Sequence, residues 1–487
     1  MENDNFQYTR NTITFLKKTK IVATMGPSSM QKDVLKEMIL DGLNVCRLNF
    51  SHGSHDDHLK TIEVIRELND ELGLNVSILA DLQGPKIRTH EMENDSVELN
   101  PGHELLLVVD KVIGTSEKIS INYNKLPREV KAGERILLDD GKIVLEVIST
   151  DFSKEIRTKI INGGILSSNK GINFPNTQIS LPSLTEKDRL DLEFAIKNRV
   201  DWIGLSFVRS AQDIVDLKLI ITENKSNTRV IAKIEKPEAV NDIDNILNEA
   251  DGLMVARGDL GVEIPYQQVP LIQKMLIQKA IRVAKPIIVA TQMMESMITN
   301  LTPTRAEVND VANAVLDGAD AVMLSGETSV GQYPVQVIQT ISKIVMEVEK
   351  CDQIYNREEI PSKVQDRFIT DSICFNACRL SQRVEAKALI TMTFSGYTAY
   401  KLSSQRPKSP IYVFTSNPKI LSQLNLIWGV KTFYYNKRIS TDHTIADIKY
   451  LLKKNAFLLK GDLVVNIASI PLEDLGGSNM LKLSYVD

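Results

Sequence analysis

The sequence predicts an α/β protein: a closed (β/α)8 barrel, interrupted by an inserted small β-barrel that serves as a lid, and followed by a second α/β domain. Three observations predict it. Eight short apolar runs alternate with helical stretches between residues 20 and 350, the count of a TIM-type barrel. From about Ile87 to Leu181 the helical period disappears and alternating stretches joined by turn signals replace it. After a linker-like segment, CDQIYNREEIPSK, a fresh set of strands and helices begins near residue 361. The boundaries so read are 1–86 for the first part of the barrel, 87–181 for the lid, 182–350 for the rest of the barrel and 351–487 for the last domain.

Residues 1–18 read as a polar leader. The first strand is KIVATMG from Lys20, with a helix from about Gln31. NVCRLNF runs to Phe50, a helix follows from about Ser54 to Leu72, and VSILADL ends at Leu82. The insertion carries SVELNPGHELLLVV and ERILLDDGKIVLEVI, with Asp140-Gly141 as a hairpin signal. Placed above the strand ends, such an insertion is a natural lid. The rhythm resumes with WIGLSF, VIAKIE, GLMVA, PIIVAT and AVMLSG, with helices such as Pro237 to about Ala250 and Pro265 to Ala284 between them. In the last domain KALITMT, PIYVFTS, VKTFYY, DLVVNIA and MLKLSYV read as strands of a largely parallel sheet.

A chain of 487 residues is too long for one core. At 43% hydrophobic and 25% charged it is globular, and a net charge of −4 argues against a nucleic-acid-binding surface spanning the molecule. No apolar run reaches membrane-spanning length and the start lacks a signal peptide's order, so no membrane is expected and the cytoplasm is the expected location. The four cysteines show no metal-ligand pairing; Cys374 and Cys378, four apart on a helix, read as buried thiols.

The chemistry lies at the predicted strand ends. In order these carry Thr24, Asn49 with Ser51, Asp81, Ser206, Lys233 with Glu235, Asp259, Thr291, and Ser325 with Glu327. Helix capping explains small polar residues at such places, well for Ser206 and fairly for Ser325. It does not explain Arg47, Lys233 and Glu235, which sit within strands. Lys233 and Glu235, two apart, share one side of a strand, and Asp259 follows the next strand in a turn with Gly258 and Gly261. Glu235 and Asp259 suit Mg2+ or Mn2+, while Lys233, Arg47 and Arg88 supply the positive charge that phosphoryl transfer requires. No Walker-type loop, His-rich zinc set or Ser-His-Asp arrangement is present.

Long motifs in one order carry a resemblance across essentially the whole chain: KIVATMGPSS (20–29), NVCRLNFSHG (44–53), ADLQGPKIRT (80–89), NKGINFP (169–175), IEKPEAV (234–240), GLMVARGDLGVE (252–263), ATQMMESM (290–297) and PTRAEVNDVANAVLDGADAVMLSGETSVGQYP (303–334). The sequence resembles the pyruvate kinases. That resemblance implies phosphoryl transfer from phosphoenolpyruvate to ADP. It implies that Glu235 and Asp259 hold the divalent metal, that Lys233 and Arg47 face the phosphoryl group, and that the backbone of Ala256, Arg257, Gly258 and Asp259 receives the substrate carboxylate. It places Thr291 beside the nascent enolate, with Ser325 and Glu327 in a proton-delivery network. Thr24, Pro27, His52, Arg88 and Lys170 match nucleotide-facing positions. A homotetramer is implied as well.

One departure falls in 81–86. Many members read Asp-Thr-Lys-Gly-Pro-Glu and bind K+ through positions matching Asn49, Ser51, Asp81 and the carbonyl after it. Here the run is Asp81-Leu82-Gln83-Gly84-Pro85-Lys86. A lysine ammonium in place of that glutamate is a tethered monovalent cation, and two adjacent positive charges repel. K+ is therefore not expected to be required. In the last domain TMTFSG runs into a helix near Tyr397, so Thr393, Ser395, Gly396 and Thr398 match the family's phosphorylated-effector loop. Phe394, with Glu473 and Asp474 in the late loop 468–479, disfavours a bisphosphate and leaves AMP or a sugar monophosphate open. Two other readings compete: a Mg2+-dependent carbon–carbon lyase acting on oxaloacetate- or pyruvate-like acids, and a non-catalytic sensor. The insertion, Arg88 and Lys170 favour the kinase.

Overall fold

The computed structural model describes residues 17–177, 179–362, 366–437, 440–470 and 477–487. The predicted leader up to residue 16, and Glu473 and Asp474, lie outside the described residues. Three strands open the chain, β1 (Lys20–Thr24), β2 (Val45–Asn49) and β3 (Ser77–Asp81). The lid strands follow: β4 (Ser96–Leu99), β5 (Glu104–Val108), β6 (Lys118–Ser120), β7 (Arg135–Leu138), β8 (Ile143–Thr150), β9 (Glu155–Asn162), β10 (Gly164–Ser167) and β11 (Ile172–Asn173). The chain returns with β12 (Trp202–Leu205), β13 (Arg229–Ile234), β14 (Gly252–Ala256), β15 (Ile287–Ala290) and β16 (Ala321–Leu324). β1 pairs in parallel with both β2 and β16, so these eight strands close into the expected barrel.

Alternation along each strand sorts the barrel into two cores. Outward-facing Ile21, Ala23, Cys46 and Ile78 pack with helix residues such as Leu35, Met38 and Ile62. Inward-facing Val22, Val45, Leu79, Trp202, Ile231 and Met254 form a separate cluster that continues into Leu402, Leu424 and Ile427 of the last domain. The last domain thus plugs the floor of the barrel. Its sheet adds β17 (Ala388–Met392), β18 (Ile411–Thr415), β19 (Val430–Tyr434), β20 (Leu463–Ala468) and β21 (Met480–Tyr485), of which only β21 runs antiparallel to its neighbour. The lid closes around its own core, which includes Leu107, Ile136, Leu145 and Ile160, and is hydrogen-bonded as a six-stranded sheet and a two-stranded ladder rather than one continuous ring.

Helix signals hold locally. Gln31 is the N-cap of Lys32–Leu40, and Ser54 caps His55–Leu72 through a capping box with Asp57. The helix expected from Pro237 to Ala250 is two pieces, Pro237–Asn241 and Ile243–Glu249, broken at Asp242, whose carboxylate accepts from the Ala211 and Asn245 amides. Cys46, Cys374 and Cys378 are buried, with thiol pKa values pushed up by burial, that of Cys378 to about 12. No described helix is long and apolar enough to cross a membrane.

A buried ion pair fastens the floor. Arg406 donates to Asp320 at 3.0 Å and to the Gly318 carbonyl at 2.8 Å, and Asp320 also accepts from the amides of Ile287 and Trp428. Both tryptophans sit at this junction, Trp202 donating to the Gln423 carbonyl at 3.2 Å. Replacing Arg406 by Met leaves Asp320 a buried charge without its cation, and is expected to cost about 3 kcal/mol. Guanidinium unfolding followed by tryptophan fluorescence checks it: the transition moves to lower denaturant, whereas an unmoved midpoint would show that the pair does not hold the floor.

Candidate active site

The inward column of each strand turns from apolar to charged as it rises. Two residues above Val22, Val45, Leu79 and Ile231 stand Thr24, Arg47, Asp81 and Lys233. Arg47 donates to Asp81 at 2.6 Å and to the Thr24 hydroxyl at 2.8 Å. The Lys233 ammonium lies 3.2 Å from Asp81, 2.9 Å from Glu235 and 2.7 Å from the Ser206 hydroxyl. Ser206 in turn donates to the Leu82 carbonyl at 2.6 Å. Gly204 faces the same layer, where a Cβ would stand 3.0 Å from an Asp81 oxygen, so the position admits no side chain without displacing that carboxylate.

These charges set one another's state. Burial alone would lower the Lys233 pKa, but Asp81 and Glu235 hold it well above the ordinary lysine value. Burial would raise Asp81, yet Lys233 and Arg47 hold it below the usual carboxylate range. Glu235 goes the other way: burial raises it, Lys233 offsets that only in part, and the like charge of Asp259 adds to the rise. Two carboxylates whose charges repel at the barrel mouth have the donor chemistry for a divalent cation, which Mg2+ takes through one or two carboxylates together with water or substrate oxygens. Among the described residues no three His, Cys, Asp or Glu side chains gather as a protein-only cage.

Asp259 does not lie in an irregular turn. Residues Arg257–Glu263 form a short helix directly after β14, with Asp259 in its first turn, where the helix dipole favours a carboxylate despite the two glycines. The Arg257 side chain is committed to protein partners: it donates to the carbonyls of Ala290 and Thr291 and pairs with Asp310 at 2.7 Å. Thr291 is held at φ +68, rare for a β-branched residue, with its hydroxyl accepting from the Gly258 amide at 2.8 Å. Glu327 is buried and accepts from the Ser325 and Met294 amides, tying the β15 and β16 loops together; its contacts are with backbone, not with the Thr291 hydroxyl.

The lid side brings Arg88 and Lys170 onto paired segments: Arg88 bridges Gly171 and donates to the Asn169 carbonyl at 3.0 Å, and Lys170 pairs with Asp139 at 2.9 Å. Thr24 ends β1 with Pro27 just beyond it, and His52 follows the adjacent β2, so these three share one rim of the mouth. Asn49 stands in register with Asp81 and accepts from the Ser51 amide. Lys86 does not join that group. Its ammonium is 3.7 Å from Asp259 instead. A lid–barrel bond, Asn173 to Glu263 at 2.7 Å, completes this flank, with Lys236 on the same Glu263 oxygen at 2.6 Å.

In the last domain the helix Tyr397–Ser404 begins where expected, with Gly396 at φ +86 before it. Thr393 accepts from the Gly396 amide, Ser395 from the Tyr397 amide, and Thr398 shares a 3.0 Å hydrogen bond with Ser478.

Both cap assignments change. Ser206 is not a helix cap; Ser210 takes that position for Ala211–Glu223, and Ser206 joins Lys233 to the segment that leads into the lid. Ser325 occupies the N-cap position of Gly326–Ser329 but makes no side-chain cap bond. Gly204, whose absent side chain makes room for Asp81, was not singled out from the sequence; its inward parity with Trp202 and Ser206 was the available signal.

Comparison with known proteins covers both parts of the chain. A family model described as the pyruvate kinase barrel domain matches residues 16–338, and one described as the pyruvate kinase alpha/beta domain matches 371–484. A pyruvate kinase of Geobacillus stearothermophilus is 44% identical over 472 residues, spanning 96% of this chain and 80% of its own length. One from Sporosarcina psychrophila is 43% identical, spanning 97% of this chain and 81% of its own. The crystal structure of a pyruvate kinase from Cryptosporidium parvum superposes with a TM-score of 0.91 at 36% identity, covering 98% of this chain and 97% of that one.

The charge lattice makes a stability prediction. Replacing Lys233 by Met leaves Asp81 and Glu235 buried without their shared cation, expected to cost about 3–5 kcal/mol near neutral pH. Without Lys233 nothing offsets the burial and the like charge of Asp259 that raise the folded pKa of Glu235, so its ionisation opposes folding and the penalty grows as pH rises. The stability gap between variant and wild type, measured by urea unfolding, is therefore expected to narrow as the pH is lowered from neutrality. A gap independent of pH would show that the lysine does not neutralise these groups.

Proposed function

The chain belongs to the pyruvate kinase family, whose members are phosphotransferases, and from that premise we propose that it transfers the phosphoryl group of phosphoenolpyruvate to ADP through the charged barrel mouth. The observation that carries this is the Arg47–Asp81–Lys233–Glu235 lattice with Asp259 beside it. The bond between phosphorus and the enol oxygen breaks, a bond to the terminal ADP oxygen forms, and the electron pair left on the enolate is quenched by a proton at the methylene carbon, giving pyruvate and ATP.

Each residue has a role in this proposal. Arg47 and Lys233 lie against the phosphoryl oxygens, where fixed cations stabilise charge that is in flight without reorganising. Glu235 and Asp259 are the residues that would hold Mg2+ or Mn2+, the metal supplying charge neutralisation and alignment of the reacting oxygens when bound. The amides from Ala256 to Asp259, including Arg257 and Gly258, face the substrate carboxylate. Thr291 stands beside the enolate, and Glu327 with Ser325 orders the loop that would deliver the proton. Thr24, Pro27, His52, Arg88 and Lys170 hold the nucleotide between barrel rim and lid, the lid being residues 87–181. We also propose a cytoplasmic homotetramer whose Thr393–Thr398 loop takes a phosphorylated or nucleotide effector.

The finer reading concerns the monovalent cation. Lys86 brings a tethered positive charge to the mouth, and its neighbour there is Asp259. The region of Asn49, Ser51, Asp81 and Leu82 matches the place where many members bind K+, and the charge on Lys86 is what we propose takes that ion's role. Pyruvate formation from phosphoenolpyruvate and ADP with Mg2+ is expected to reach full rate with K+ removed. Lys86→Glu removes the tethered cation and is expected to need K+ for at least about tenfold of its rate. Wild-type activity that appears only with K+, or a variant indifferent to K+, would sink the tethered-cation idea and leave the kinase reading standing. No pyruvate under any of these conditions would count against the kinase reading itself.

A further inference from the structure

The lid is joined to the barrel by two chain crossings. One leaves β3 through residues 82–86; the other returns through 181–185 into the helix Glu186–Lys197. Asp188, in the first turn of that helix, touches both. One of its carboxylate oxygens accepts from the Gly84 amide at 3.0 Å. The other accepts from the Thr185 amide at 3.0 Å and the Thr185 hydroxyl at 2.6 Å. Asp188 is fully buried, and the pair Thr185–Asp188 is also a capping box. An ordinary box does not need this: Asp57, in the box of His55–Leu72, is exposed and uses a single oxygen on Ser54.

The chemistry of the position is selective. Three donors converge on two oxygens from opposite sides, and only a carboxylate accepts on both. An asparagine would have to turn its NH2 against either the Gly84 amide or the Thr185 donors, leaving buried donors facing each other. The outgoing crossing is further seated by Gly84 at φ +71, where a Cβ would stand 2.8 Å from Phe207 and 2.9 Å from the Ser206 Cβ. The Leu82 carbonyl accepts from Ser206, which holds Lys233, and two residues beyond Gly84 Lys86 reaches Asp259.

We propose that Asp188 is a positioning residue: its carboxylate staples the two lid crossings to each other, so that the lid turns about one shared pivot and Arg88, Lys170 and Lys86 return to the same place at each closure. The staple acts on nucleotide more than on phosphoenolpyruvate, because the lid residues face ADP whereas Arg47 and Lys233 belong to the barrel. For its activity readout this rests on the kinase reading; its exchange readout does not.

The experiment compares wild type, Asp188→Asn and Thr185→Ala, the last removing only the hydroxyl half of the cap. Asp188→Asn is expected to raise the KM for ADP roughly tenfold, with the KM for phosphoenolpyruvate changed far less, since small misplacements of binding groups carry costs of that order. Thr185→Ala is expected to change neither KM appreciably. A fall in Vmax with both KM values intact, or equal effects in the two variants, would reduce Asp188 to a helix cap and overturn the proposal. Hydrogen exchange in the wild type decides the matter if Asp188→Asn does not fold. Segments 82–86 and 183–188 are expected to be protected together, and a freely exchanging Gly84 amide would overturn the staple. A wild type that makes no pyruvate, yet protects both segments together, would sink the kinase reading and leave the staple intact.

Discussion

Four charged side chains buried at one end of a barrel are the constraint on which the rest depends. Arg47, Asp81, Lys233 and Glu235 are each 9% exposed or less, and isolated charges at such depth would neutralise rather than stay ionised. They persist because each faces an opposite charge within about one hydrogen bond. Such a lattice contributes little to net stability, since desolvation offsets most of the attraction. What it provides is a fixed field: in the proposed reaction, donors already held in place need reorganise little as charge moves on the phosphoryl group.

That lattice explains features far from it. Because inward residues recur every second position, a charged layer at the top forces an apolar layer two residues below, and the floor must then be covered. Val22, Val45, Leu79 and Ile231 meet Leu402, Leu424 and Ile427 there. The last domain is thus part of the barrel's own core. The Arg406–Asp320 pair and both tryptophans sit on this seam, so a change in how the last domain packs reaches the strands that carry Lys233 and Arg47 directly.

Much of this was legible in the sequence, and the reason is periodic. Eight apolar runs, each ending in polar residues, specify a barrel and its mouth, and the loss of helical period specifies the insertion. Arg47, Lys233 and Glu235 stood out because no local role suits a long charged side chain inside a strand. Where a local role did suit, the reading failed. Ser206 looked like a cap because serine often is one, and only the three-dimensional meeting of β3, β12 and β13 shows it linking Lys233 to Leu82. Glycines at 258 and 261 suggested a turn, but the helix there is anchored by its buried Leu260 and Glu263 rather than by propensity. The direction of Lys86 was not readable either, since it depends on how residues 82–86 leave the barrel.

Thr291 shows how the mouth is kept in shape. A β-branched residue at φ +68 is disfavoured by roughly 1–3 kcal/mol, and Gln292 beside it is also left-handed, at φ +55. The strain is held by bonds from outside the segment: Arg257 donates to the carbonyls of Ala290 and Thr291, and the Gly258 amide donates to the Thr291 hydroxyl. Both donors belong to the helix that carries Asp259. The hydroxyl and the carboxylate therefore cannot move independently: a shift of the helix that repositions Asp259 also releases the restraint on Thr291. The group proposed to face the reacting carbon and the group proposed to hold the metal are thus placed by one element, so a single distortion would disturb both together.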